Sequence, residues 1–233
     1  MNVGHPSRRT FVRGLGALLL SPYALAALPD TVARIKPSIV AVGTFQRTRN
    51  PSFRFLGTGF AVGDGRLIAT NAHVLPDKLA EAQMETFAIA VPDGDSGTVA
   101  VRPARNVAME KERDLAVLAI DGNALGFFPV THRGIIAAIS PIGIPQERAR
   151  ELDPALVRRL ASDPFRVYQL DATAYPGNSG SPVYDPASGR VLGVVNMVFV
   201  KSTKENVLSD PSGISYAIPI DYLATMLDKL GAR

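Results

Sequence analysis

Phe53-Arg54-Phe55-Leu56-Gly57-Thr58-Gly59-Phe60-Ala61-Val62 is followed by Gly63-Asp64-Gly65 and then by Arg66-Leu67-Ile68-Ala69. Two β-rich runs separated by a glycine-flanked aspartate predict a β-hairpin. The same pattern spreads outward. Ser38–Phe45 is β-rich, and Thr86–Val91 and Thr98–Ala104 flank the turn cluster Pro92-Asp93-Gly94-Asp95-Ser96-Gly97. Leu115–Ile120 is a continuous apolar run stopped by Asp121-Gly122. Further candidate strands are Gly134–Ile139, Arg166–Ala172, Ser181–Tyr184, Arg190–Val200 and Gly213–Ile218. Short strands broken every few residues by Gly and Pro predict an all-β sandwich or barrels. Two helices are expected besides. One is a short insertion capped by Asp153, with Pro154 at its first position and Leu156 and Leu160 on one face. The other, Asp221–Leu230, turns Leu223, Met226, Leu227 and Leu230 toward the core.

The composition suits such a fold. Of 233 residues, 46% are apolar and 20% charged, which is ample for a hydrophobic core and far from a disordered balance. Zero cysteine removes thiol nucleophiles, thiolate metal sites and disulfides together. Zero tryptophan counts against a carbohydrate-binding sandwich. The chain carries no cofactor motif, and no cofactor or metal is expected.

The net charge of +4 partly reflects the N-terminus, where Arg8, Arg9 and Arg13 stand without an acid before residue 27. The remainder is nearly neutral and has no run of five like charges, so a nucleic-acid partner is not expected. Ser7-Arg8-Arg9-Thr10-Phe11 precedes the short apolar run Gly14–Leu20, and Ala24-Leu25-Ala26 offers a small–x–small cleavage pattern. Residues 1–26 resemble a twin-arginine signal peptide, which implies a periplasmic or secreted protein. No later stretch of about 18 apolar residues exists, so no stable membrane span is expected after signal removal.

Chemistry-bearing residues are few. Beyond residue 26 only His73 and His132 remain as histidines. His73 follows a strand in Thr70-Asn71-Ala72-His73-Val74. Asp114 opens the strand Asp114-Leu115-Ala116-Val117-Leu118. Ser179 sits among glycines in Gly177-Asn178-Ser179-Gly180-Ser181-Pro182. A serine nucleophile needs a tight turn that presents its hydroxyl and aims neighbouring N–H groups at a developing oxyanion, and glycine permits such backbone shapes. An ionised aspartate beside an imidazole fixes its tautomer. Taken singly, each is also an ordinary turn, surface histidine or strand-ending acid.

Together, in the order His73, Asp114, Ser179, they closely resemble trypsin-like serine proteases of the HtrA/Deg-like branch. The matching blocks are Gly57–Phe60, Thr70–Val74, Asp114–Leu118, Leu170–Ala172, Pro176–Gly180 and Tyr216–Pro219. The resemblance implies two antiparallel β-barrels, residues 27–120 carrying His73 and Asp114, and residues 121–233 carrying Ser179 and the closing helix. It implies that Ser179 attacks a peptide carbonyl, that His73 moves the proton and that Asp114 orients His73. The N–H groups of Gly177 and Ser179 would form the oxyanion hole. Thr173 would lie near the base of the specificity pocket. Val195, Asn196 and Met197 would supply its wall and a strand for pairing with substrate. No acid stands at the pocket base, which favours a small or medium apolar side chain.

Three departures from the family accompany this. Ser181 stands where glycine is usual. The chain stops soon after its last helix, so no PDZ domain is expected. Asp121–Val130 is too short for a linker and a strand, so the second barrel is expected to be one strand short, with either Phe127–Val130 as a stunted strand or a segment missing. Two functions follow: an exported serine endopeptidase acting on polypeptides, unfolded proteins among them, or a catalytically weak or inactive scaffold that binds peptides or misfolded proteins.

Overall fold

The computed structural model describes residues 23–92, 99–122, 131–141, 165–196 and 214–232. The signal stretch up to residue 22, most of Asp121–Val130, the insertion at Asp153 and the pocket residue Met197 lie outside the described residues.

Eleven strands are present among the described residues, in two sheets. Six form a closed antiparallel barrel in the order β1-β2-β3-β6-β5-β4. They are β1 (Ile39–Phe45), β2 (Phe53–Val62), β3 (Leu67–Thr70), β4 (Thr86–Pro92), β5 (Val99–Glu110) and β6 (Leu115–Ile120). The quoted hairpin is β2–β3, paired from Val62↔Leu67 to Phe60↔Ala69. The second sheet runs β7-β8-β11-β10-β9. Its strands are β7 (Ile135–Pro141), β8 (Arg166–Asp171), β9 (Pro182–Tyr184), β10 (Val191–Asn196) and β11 (Ile214–Pro219). The second barrel of the expectation is thus, among the described residues, a five-stranded sheet. Its edge strand β9 opens on Pro182, whose missing N–H is tolerated at a strand start. The other edge, β7, leaves Ile135 65% and Ile139 60% exposed.

Period-two alternation explains how the two sheets meet. Side chains of a strand point alternately to its two faces. In β6, Ala116, Leu118 and Ile120 fill the barrel with Val40, Val42, Ile68 and Ile89. The alternate residues Leu115 and Val117 join Ile39 and Phe60 outside the barrel, against Val194 and Ile218 of the second sheet. Both faces of β6 are therefore covered, which is why its sequence is an unbroken apolar run. Burying each such Leu or Ile is worth roughly 1.5–3 kcal/mol.

Three elements depart from the sequence reading. β5 continues six residues beyond Ala104, because a bulge between Asn106 and Ala108 shifts its alternation while pairing with β6 persists to Glu110↔Leu115. A helix α1 (Tyr23–Ile35) runs through the expected end of the signal despite Pro29. Its C-terminal end is held by Ile35 at the inter-sheet core and by Arg34 Nη2, which donates to Ser188 O at 2.9 Å. The closing helix α2 (Ile220–Lys229) buries Leu223 and Met226 in that core as expected, but Leu230 lies just past its end and is 38% exposed.

Candidate active site

His73 and Asp114 come from the barrel, and Ser179 from the turn before β9. His73 sits in a 3-10 turn, Ala72–Val74, directly after β3. Asp114 does not begin β6 but precedes it in a left-handed conformation, φ 53°. That unusual backbone is pinned by its own carbonyl, which accepts the Ala72 N–H (3.2 Å) and Asn71 Nδ2 (3.0 Å). Aspartate tolerates the left-handed region better than most residues.

The three side chains form one chain of hydrogen bonds. Asp114 Oδ2 lies 2.6 Å from His73 Nδ1, and His73 Nε2 lies 3.0 Å from Ser179 Oγ. Asp114 Oδ1 accepts the backbone N–H of His73 at 2.8 Å, so the carboxylate grips both the ring and the main chain. An ionised carboxylate can only accept, so Nδ1 carries the imidazole proton and Nε2 is left as an acceptor facing the serine hydroxyl. Ser179 is 6% exposed and the imidazole 31%, so the hydroxyl is largely desolvated while the ring edge meets solvent.

Tyr175-Pro176-Gly177-Asn178 forms a tight turn closed by Asn178 N–H to Tyr175 O at 2.9 Å, with Gly177 at φ 99°. Proline second and a positive-φ glycine third suit a type II turn. Among the described residues, the N–H groups of Gly177 and Ser179 donate to no protein acceptor. Gly180 also has positive φ, and a Cβ there would stand 1.9 Å from Thr58 O. Only glycine lets the serine turn lie this close to β2.

Thr58 fastens that turn. Its N–H donates to Ser179 O (2.9 Å) and its Oγ1 to Gly177 O (2.7 Å), while Thr70 Oγ1 donates to Thr58 O (2.7 Å). In the sequence Thr58 belongs to the block Gly57–Phe60 with no role of its own. The Gly57-Thr58-Gly59 spacing was the available signal.

Of the residues expected on the pocket wall, Val195 and Asn196 are described. Asn196 is fully buried, and its Nδ2 donates to Asp114 Oδ2 at 2.6 Å. Its amide is thus engaged with the aspartate. Val195 uses its N–H on Ser181 O (2.8 Å) and its C=O on Gly180 N–H (3.0 Å), so both groups bind the serine turn. Thr173 is half-buried in the segment joining β8 to that turn. His132 packs its ring on Tyr175, centroids 5.6 Å apart, and takes no part in the Ser179 hydrogen-bond chain. Among the described residues, no three His, Asp or Glu side chains gather as a metal site.

A family model described as a trypsin-like peptidase domain matches residues 57–194, from the strand that holds Thr58 to the middle of β10. The chain belongs to the trypsin-like peptidase domain family. Curated relatives of this trypsin-like peptidase domain are of HtrA/Deg type. A probable periplasmic serine endoprotease DegP-like of Halomonas elongata is 28% identical over 76% of the chain and 35% of the relative. Serine protease HTRA3 of Homo sapiens is 27% identical over 92% of the chain and 47% of the relative. The chain thus spans about a third to a half of these relatives' lengths. Among solved structures, the active form of the Rv3671c protease from M. tuberculosis aligns with a TM-score of 0.59 and 22% identity, covering 100% of this chain and 96% of that one. The HtrA-type protease AlgW with decapeptide aligns at 0.55 and 21% identity, over 86% and 66%. Both share the two-sheet fold.

Proposed function

We propose that this chain is a serine endopeptidase that cleaves polypeptides through an acyl-enzyme. The observation that carries the proposal is the unbroken chain Asp114 Oδ2–His73 Nδ1 and His73 Nε2–Ser179 Oγ, at 2.6 and 3.0 Å. Ser179 Oγ attacks the scissile carbonyl carbon while its proton passes to His73 Nε2. The carbonyl oxygen becomes an oxyanion, taken by the N–H groups of Gly177 and Ser179, which no protein acceptor among the described residues occupies. As the tetrahedral species collapses, His73 Nε2 gives the proton to the departing amine. Water then repeats the sequence on the ester and restores Ser179. Asp114 stays ionised throughout and stabilises the imidazolium.

The site of action is the periplasm or the exterior, reached through the twin-arginine-like stretch at residues 1–26. The relatives named periplasmic endoproteases support that reading. Substrates are polypeptides, unfolded chains included.

A fluorophosphonate probe tests the proposal. The wild-type chain should be labelled at Ser179 and should degrade casein, and Ser179→Ala should do neither. A wild-type chain that binds unfolded protein but is neither labelled nor able to cut would replace the endopeptidase with an inactive binding scaffold.

A further inference from the structure

Beside His73, on the barrel side of the site, lies a cleft of about 210 Å³ that no step above uses. Its lining includes Arg54 and Leu56 of β2, His73 and Val74 of the 3-10 turn, and Lys78 and Glu85 of the segment that follows. Its charges do not cancel. Glu85 is the one acid among the residues lining it, and that carboxylate is already satisfied: Thr44 Oγ1 (2.6 Å), Arg49 Nη1 (2.8 Å) and the Ala80 N–H (3.0 Å) all donate to it. These bonds pull Glu85 down to about 2, so it remains the ionised partner of Arg49. The neighbouring Asp77 is paired with Lys111. Arg54 and Lys78, by contrast, have no side-chain hydrogen bond or ion pair among the described residues. Two free cations therefore stand over a partly apolar floor of Leu56 and Val74.

The cleft's position says which part of a substrate reaches it. His73 Nε2 must protonate the departing amine, so the residues leaving with that amine pass along His73. Phe55, next to Arg54, lies against the oxyanion turn, its Cε1 2.8 Å from where a Gly177 Cβ would stand. Arg54 pairs with Thr44 on the opposite face of β2 from Phe55, so the cleft meets the site at His73, while Asn196 of β10 occupies the Asp114 side of the imidazole.

We infer that this cleft is a subsite for an acidic side chain, Asp or Glu, at the first or second position after the cleaved bond. The inference rests on the endopeptidase reading and adds a substrate preference to it. Arg54 and Lys78 attract the carboxylate, and Leu56 and Val74 receive its methylenes. Both cations are exposed, so each contributes modestly and the sum is screened by salt.

A peptide library derived from a digested proteome, with cleavage sites read by mass spectrometry, tests this on the full chain. Asp and Glu should be enriched about five-fold over Gln and Asn at those positions. The enrichment should shrink as salt is raised. In the Arg54→Glu/Lys78→Glu double variant it should invert toward Lys and Arg. Lys78→Glu alone, at an exposed site, should at least halve it, which covers failure of the double variant to fold. Cleavage without any acidic preference overturns the subsite and leaves the endopeptidase standing. An absence of cleavage by the wild-type chain overturns both.

Discussion

The backbone N–H of Thr58 donates to the carbonyl of Ser179 at 2.9 Å, tying the serine turn to the barrel that carries His73. His73 and Ser179 are 106 residues apart, in turns that flank different sheets, yet His73 Nε2 and Ser179 Oγ are held 3.0 Å apart. Thr58 bridges the two sheets at that point, since its Oγ1 also holds Gly177 O.

Thr58→Val keeps the side-chain shape and the N–H but removes the bond to Gly177 O. A net hydrogen bond of about 1 kcal/mol corresponds to roughly five-fold. The variant should lose about 1 kcal/mol of stability, and kcat/KM should fall by up to about that factor as the serine turn loosens. Steady-state kinetics beside a urea melt checks it, and unchanged kcat/KM would deny Thr58 this role.

In the proposed mechanism the three side chains act as a unit. Ser179→Ala and His73→Ala should each abolish hydrolysis, and Asp114→Asn should cost on the order of 10⁴-fold. Near-normal turnover in His73→Ala would require a different base, His132 being the remaining histidine beyond residue 26.

Asn196 separates two roles by kinetics. If it holds Asp114, Asn196→Ala leaves a largely buried carboxylate short of a donor, which costs about 1–3 kcal/mol. kcat should then fall roughly 10- to 100-fold with KM little changed. A rise in KM at constant kcat would return Asn196 to the substrate wall.

Glu85 makes part of the stability depend on pH. Bonds from Thr44, Ala80 and Arg49 hold it at about 2, below its ordinary 4.5. Because the folded value is depressed, its contribution is fully present above about pH 4.5 and is lost as the pH falls toward 2. Glu85→Gln should lower the melting temperature at neutral pH, and the difference from wild type should shrink through that acidic window. Parallel curves across it would show that the pairing contributes nothing.

Export is tested at the N-terminus. Replacing Arg8 and Arg9 by lysine should stop transport through the twin-arginine route, read as loss of the protein from the periplasmic fraction. Undiminished accumulation there would remove the proposal.

The sequence by itself determined most of the strands and brought His73, Asp114 and Ser179 forward as a set. Turn glycines and apolar alternation are local properties, so β1–β4, β6 and α2 were legible within a residue or two, and the His73, Asp114 and Ser179 blocks were specific as a set. What it hid depended on long-range contact. β5 looked finished at Ala104 because its bulge breaks the alternation, and only pairing with β6 shows the strand continuing. Asp114 looked like a strand start because left-handed φ leaves no mark in an aspartate's neighbours. Asn196 stands in a block expected to bind substrate, and its bond to a carboxylate 82 residues away leaves no mark in that block. Thr58 has no chemistry of its own until the serine turn is laid on it. These roles belong to pairs of residues brought together by the packing of two sheets, and tertiary structure alone decides which side chains meet there.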